Sequence, residues 1–194
     1  MFLRRKKPMR SRKLFGILII IAGISLIIGS VLINVRQTQI RESLVEEYKA
    51  GTLDMKSSDD SLLGDMLYML RIPSIDSENP VREGIDGAVL KDSLGHDTNS
   101  SYAGTNGKCV IAGHRNYTFG KFFNRLDEVQ TGDMIYLDTC DGTYSYQVTD
   151  IEVVSPDEDE VLQNINDDEM LTLYTCTPIY IGSHRLVINA KRIS

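Results

Sequence analysis

Residues 171–176 read LTLYTC, and residues 184–193 read HRLVINAKRI. In both, apolar side chains recur at every second position, the period of a half-buried strand. In the first, Leu171 and Leu173 share one face, while Thr172, Tyr174 and Cys176 share the other. In the second, Leu186, Ile188 and Ala190 form the apolar stripe, and Arg185 falls out of phase with it. The same reading extends upstream. MLYMLRIPSI is a strand that stops at Pro73. KCVIAG is a buried strand. GDMIYLDT and TYSYQVTDIEVVS are two strands joined through Cys140, Asp141 and Gly142, a turn signal. In the latter strand Tyr144, Tyr146 and Val148 share a phase that Ile151 and Val153 do not. A slip of one residue exchanges faces, so a bulge is expected near Thr149–Asp150. DGAVLKDSL reads as a short helix, and FGKFFNRLDEV as a helix with Phe119, Phe122, Phe123 and Leu126 on one side. Many short strands with short helices between them predict a mainly β domain, a barrel or sandwich, over residues 65–194.

The other third of the chain differs in composition. The first thirteen residues hold seven Lys and Arg and no acid. The remainder carries 14 basic against 27 acidic residues, a balance of −13 within the overall −6. An acidic body excludes the basic footprint that nucleic-acid binding needs. Residues 14–35, LFGILIIIAGISLIIGSVLINV, hold no charge. About 20 apolar residues span the hydrocarbon core of a bilayer as a helix. The basic flank, residues 1–13, places the N-terminus in the cytoplasm and the acidic body outside the cell membrane. No small-x-small cleavage site follows the run before Arg36, so a retained single-pass anchor is expected rather than a cleaved signal peptide. Residues 36–64 read as a stalk and linker, with a thinly apolar helix followed by TLDMKSSDDS.

Three residue types in this body carry chemistry. Cys176 lies at a strand end on the less apolar face, where a scaffold presents functional groups. Arg185 offers a guanidinium that donates paired hydrogen bonds and keeps its charge. His114 follows a glycine at the exit of an apolar strand, and imidazole gives and takes protons near neutrality. On residue type alone the bland reading competes, since a strand cysteine is often a small buried hydrophobe.

TLYTCTP, an arginine nine residues after the cysteine in HRLVINA, and an upstream AGHR together resemble the sortase family of cysteine transpeptidases. VREGIDGAVL and FGKFFNRLDEVQTGDMIYL are similar to the segments on either side of the family's histidine, so the resemblance runs from about residue 65 to the C-terminus. It implies an eight-stranded β-barrel that recognises an LPxTG-like sorting signal at the C-terminus of a secreted protein. By position, Cys176 would attack the threonine carbonyl and hold the acyl chain as a thioester. His114 would protonate the departing glycine amine, and later deprotonate the amine of a peptidoglycan precursor. Arg185 would support the carbonyl oxygen, and Thr175 would help form the oxyanion site, chiefly through backbone geometry. GHRNYTFGKFFNRL is most like class D. TCTPxxxxxHRL is similar to pilus-polymerising class C, but that class's aspartate-proline-aromatic lid motif and second hydrophobic segment are absent. The reading of another class is a tethered β-barrel that binds peptides without chemistry.

The remaining candidates are structural or cationic. Cys109 is expected in the core and Cys140 exposed in its turn. His184 is expected to point with the core stripe, and His96 to serve structure from a loop. SPDEDEVLQNINDDE reads as a solvated acidic loop bordering the peptide groove. Its Asp157, Glu158, Asp159 and Glu160 are the calcium candidates, since hard cations want several carboxylates and some class A sortases respond to calcium through this region. No cofactor is otherwise implied.

Overall fold

The computed structural model describes residues 9–49, 66–115, 122–158, 168–179 and 181–194. Two compact units divide at Ile40 and Arg41. The first consists of helix. Helix α1 (Met9–Lys49) runs unbroken for 41 residues, with neither proline nor glycine between residues 30 and 49 to interrupt it. Residues 36–49, read above as a thinly apolar helix, continue the same helix. Its stretch Leu14–Ile33 is long and apolar enough to cross a membrane. Side chains such as Leu18, Ile24 and Leu26 stand exposed along it, as a lipid-facing surface requires. The linker TLDMKSSDDS lies outside the described residues.

The second unit carries a closed barrel of eight strands: β1 (Met66–Ile72), β2 (Ser77–Glu83), β3 (Leu94–His96), β4 (Lys108–Ala112), β5 (Met134–Thr139), β6 (Gly142–Val154), β7 (Met170–Thr177) and β8 (His184–Arg192). Their order around the barrel is β1-β2-β3-β4-β7-β8-β6-β5, and β5 returns to β1 through pairs such as Leu70 with Leu137. Closure removes the exposed edges an open sheet would carry. Alternation along each strand turns one set of side chains inward. Leu70, Ile111, Leu137, Tyr146, Leu171, Leu173 and Ile188 are all fully buried in one cluster. Burying each such aliphatic side chain stabilises the fold by about 1.5–3 kcal/mol. A charge at Ile188 would break the cluster from its centre.

Local rules account for the element ends. Pro73 ends β1 and opens a single 3-10 turn (Pro73–Ile75). Asp86 caps the short helix α2 (Gly87–Leu90), its carboxylate accepting from the N–H groups of Ala88 and Val89 at 2.7 and 3.2 Å. The register of β6 against β8 shifts between Val148 and Asp150, the bulge its change of phase requires. Ile151 packs on the core beyond that bulge, whereas Val153 is 60% exposed at the barrel rim.

Three expectations change. β2 and β3 carry no alternation to announce them: SENPVRE holds a proline and three charges, and LGH has three residues. Neighbouring strands, not β propensity, recruit them. Residues 122–128 form turns and one 3-10 turn (Leu126–Glu128), not an α-helix. Phe122 takes a left-handed φ of 51°, which no α-helix accommodates. Phe123 and Leu126 reach the core regardless, and Phe119 lies outside the described residues. His96 ends β3 and is fully buried. Its Nδ1 meets Glu83 and its Nε2 the Ser101 carbonyl, both at 3.1 Å, so its role is structural as expected.

Candidate active site

Three adjacent strands build the site. β7 lies between β4, to which it is parallel, and β8, to which it is antiparallel. Cys176 pairs directly with Arg185 across the β7–β8 ladder. Both belong to the outward phase and both are partly exposed. Directly opposed residues hold their Cβ atoms about 5 Å apart. On the other side the parallel ladder runs from Lys108 with Met170 to Ala112 with Tyr174. His114 follows two residues beyond that last pair and shares the phase of Val110 and Ala112, which pair with Thr172 and Tyr174 in the phase of Cys176. His114 is exposed. Cys176 and Arg185 thus stand opposite each other, and His114 follows the end of the neighbouring strand β4 in the same phase.

The backbone around His114 is held closely. The N–H of Gly113 donates to the Tyr174 carbonyl at 3.1 Å, continuing the ladder past its last pair, and the N–H of Phe123 donates to the His114 carbonyl at 3.3 Å. A side chain at Gly113 would not fit: a Cβ there would lie 2.5 Å from both Leu94 and Phe123. Thr175 is 2% exposed and faces inward with Leu171 and Leu173. Its hydroxyl donates to the Gly113 carbonyl at 2.7 Å. That hydroxyl is committed to the histidine segment, so anything Thr175 offers a substrate comes from its backbone.

Beyond Cys176 the strand turns at the cis Thr177–Pro178 bond. Gly182, at φ 63°, approaches the end of β7, and a Cβ there would lie 3.5 Å from that of Cys176. Among the described residues, Arg185 makes only long contacts, from Nη1 to the His184 and Gly182 carbonyls at 3.4 and 3.5 Å. His184 is exposed and meets its neighbour Ser183 at 2.9 Å, rather than packing with the core. It sits at the strand's first position, where alternation no longer faces a core.

A cavity of about 170 Å³ opens beside Arg185. Val154, Ser155, Pro156 and Glu158 line it from the end of β6, Tyr174 from β7, and Arg185 and Val187 from β8. It is smaller than a typical small-molecule site of about 300 Å³ or more. The start of the acidic loop therefore borders this groove. At its other end Asp168 is exposed, whereas Glu169 is committed to the fold. Glu169 accepts from the Gly104 N–H at 2.9 Å, the Tyr146 hydroxyl at 2.7 Å and Arg192 Nη1 at 2.7 Å. Of the calcium candidates, Asp157 and Glu158 are exposed, while Asp159 and Glu160 lie outside the described residues.

All three cysteines are free thiols. Cys140 is exposed in the β5–β6 turn and Cys109 is buried. Burial pushes the Cys109 thiol up to about 12, so it stays protonated and takes no part in nucleophilic chemistry.

Sequence reasoning overlooked Arg115 and Thr177, which join the two halves of the site. Arg115 Nη1 donates to the Thr177 hydroxyl at 2.9 Å, and Nη2 pairs with Asp127 at 2.7 Å. No local pattern marks such a pairing, because its partners are 62 residues apart.

The sortase domain family profile matches residues 70–193. Sortase D of Bacillus subtilis strain 168 is 33% identical over 129 residues, covering 65% of this chain and 63% of that protein. The chain thus spans less than two thirds of that relative's length. Among solved structures, Streptococcus agalactiae sortase C1 in complex with MTSET superposes with a TM-score of 0.64 at 34% identity, covering 68% of this chain and 69% of that one. Group B Streptococcus Pilus Island 1 sortase C2 gives 0.64 at 31% identity, covering 68% and 76%. With the family profile over most of its length, and relatives of more than 30% identity carrying the same barrel, this chain belongs to the sortase family.

Proposed function

We propose that the chain is a membrane-anchored transpeptidase that cleaves an LPxTG-like signal between threonine and glycine and transfers the secreted protein to a cell-wall amine. The observation that supports this reading is the direct pairing of Cys176 with Arg185, with His114 two residues beyond the end of the neighbouring strand β4. The Cys176 sulfur forms a bond to the threonine carbonyl carbon, and the threonine–glycine C–N bond breaks. His114 supplies the proton that the departing amine needs. The incoming amine then attacks the thioester, gives its proton to His114 and releases the thiolate. A thioester replaces one difficult amide exchange by two easier steps. Arg185, with its donors otherwise uncommitted at short range, stabilises the oxygen on which negative charge develops. The groove beside Arg185 receives the signal. The chemistry is written entirely with side chains, and calcium at the acidic loop would modulate peptide binding rather than bond making.

The apolar stretch of α1 anchors the enzyme in a single pass, with the basic N-terminal flank in the cytoplasm and the barrel outside. We assign the chain to class D, on its likeness to Sortase D of Bacillus subtilis. The likeness to Group B Streptococcus Pilus Island 1 sortase C2 favours pilus polymerisation as the second reading. The two differ in the nucleophile accepted.

The test uses the full chain in detergent micelles with a library of LPxTG-type peptides. Intact mass measurement is expected to find an acyl adduct on Cys176 that is absent in Cys176→Ala. Cleavage that survives this substitution, or no adduct with any peptide, overturns the enzyme reading in favour of a non-catalytic peptide-binding barrel. Resolution of the adduct by a pilin lysine in preference to a peptidoglycan-stem amine moves the assignment to class C.

A further inference from the structure

The ladder between β4 and β7 ends at Ala112 and Tyr174, one turn of pleat before the residues that matter. From there on, sheet hydrogen bonding no longer sets the position of His114 against Cys176. Three tethers replace it. The Gly113 N–H reaches the Tyr174 carbonyl, and the Thr175 hydroxyl reaches the Gly113 carbonyl. Arg115 reaches the Thr177 hydroxyl. The first two precede His114 and Cys176 in their strands, and the third follows both. Residues on either side of the histidine therefore hold residues on either side of the cysteine.

The third tether is the costly one. The Arg115 side chain is 8% exposed, and removing a guanidinium from water is unfavourable unless it is paired. Leu94 and Phe123 also pack closely around Gly113. What the guanidinium adds is direction. One nitrogen donates to Thr177 and the other pairs with Asp127, which lies in the 3-10 turn after Phe123. A planar fork with its two arms on different elements admits one lateral position.

We infer that Arg115 is a positioning residue, which holds the segment bearing His114 in register with the strand end bearing Cys176 through Thr177 and Asp127. The inference rests on the transpeptidase reading above. It takes part in no bond making. Its effect is on the relative placement of the imidazole and the thiol, where an error of about 1 Å costs on the order of a hundredfold in rate.

The experiment measures steady-state cleavage and the acyl adduct for the full chain in micelles. Arg115→Met and Thr177→Val are each expected to lower kcat by about 10- to 100-fold with KM within about twofold. The double variant is expected to be no slower than the worse single variant, because both break one link. Thr177→Ser keeps the acceptor and is expected within about threefold of wild type. Lys191→Met, in an exposed pair with Asp168, serves as the unaffected control. Should Arg115→Met fail to fold, Thr177→Val and Asp127→Asn carry the test. Multiplicative losses in the double variant, wild-type kcat in Thr177→Val, or losses that follow melting temperature rather than kcat overturn the inference. A wild-type protein that forms no adduct overturns the transpeptidase reading and the inference with it. A wild-type adduct with unchanged variant kcat overturns the inference alone.

Discussion

Arg185 and Arg192 stand at opposite ends of β8, and they are used in opposite ways. Arg192 spends its donors. Its Nη1 lies 2.7 and 2.8 Å from the two Glu169 oxygens, its Nε donates to the Ser194 carbonyl at 2.6 Å, and its guanidinium lies 4.0 Å over the Tyr144 ring. Glu169 in turn binds the Tyr146 hydroxyl and the Gly104 N–H. This end of the strand is a closed network that joins β6, β8 and the loop before β4. Arg185 is partly exposed and has only the two carbonyl contacts of 3.4 and 3.5 Å among the described residues. It faces a groove and stands opposite a thiol. A cation whose hydrogen bonds are satisfied by the fold stabilises the fold. One whose fork is left open is available to a developing oxyanion.

Replacing each arginine by lysine would break or sharpen this contrast most directly. Arg185→Lys is expected to lower kcat/KM by about a hundredfold with the melting temperature unchanged, because one ammonium does not reproduce the fork. Turnover near wild type in that variant would remove Arg185 from its role. Arg192→Lys is expected to do the reverse. It loses part of a half-buried charged network, at a cost of about 2 kcal/mol in unfolding free energy, while turnover per folded molecule stays within about threefold. Chemical denaturation and active-site titration separate the two effects.

The closed end also makes a prediction about alkaline pH. Burial raises the Tyr68 and Tyr146 hydroxyls above their ordinary value of 10, helped for Tyr146 by Glu169, and burial raises the Cys109 thiol to about 12. Above pH 9 to 10 the unfolded chain releases these protons while the folded barrel retains them. The unfolded state then binds fewer protons, so unfolding free energy falls as pH rises. Their contribution is complete below pH 9 and declines above it, by up to about 1.4 kcal/mol per pH unit for each group. Melting temperature measured from pH 8 to 11 should show this slope, and Tyr68→Phe should flatten it. A level profile to pH 11 in the wild type contradicts the burial argument.

The smallest expected effect concerns the cysteines. Cys140 is exposed in its turn and should alkylate readily in the native protein. Cys109 should react more slowly by about a thousandfold at pH 8, from its reduced thiolate fraction alone. Mass mapping after timed iodoacetamide treatment reads both. Labelling of Cys109 as fast as Cys140 would place it outside the core.

How far the sequence carries depends on the range of each interaction. Alternation is a property of a strand and its two faces. The phases of β7 and β8, the inward Leu171 and Leu173, the outward Cys176 and Arg185, and the bulge before Asp150 were therefore legible directly. Pro73 acts on its immediate neighbours and was equally readable as a strand end. β2 and β3 were not, because they are strands by virtue of what lies beside them. The 122–128 segment has helical spacing, but the left-handed Phe122 lets its aromatic neighbours reach the core by a tighter path. Glu169 counted as one more charge in an acidic loop until Arg192, 23 residues away, closed upon it.

For this protein the sequence by itself determined which side chains face in and which face out, and where an apolar helix runs long enough to cross a membrane. It also determined that a thiol and a guanidinium emerge in phase from two final strands. Only the tertiary structure decided that β4 lies parallel to β7, so that the segment carrying His114 leaves the sheet beside the strand carrying Cys176, and that Arg115 locks onto Thr177. Face is encoded in the period of two along each strand. Which strands become neighbours, and in what register beyond the last ladder pair, depends on closing the whole barrel around one core.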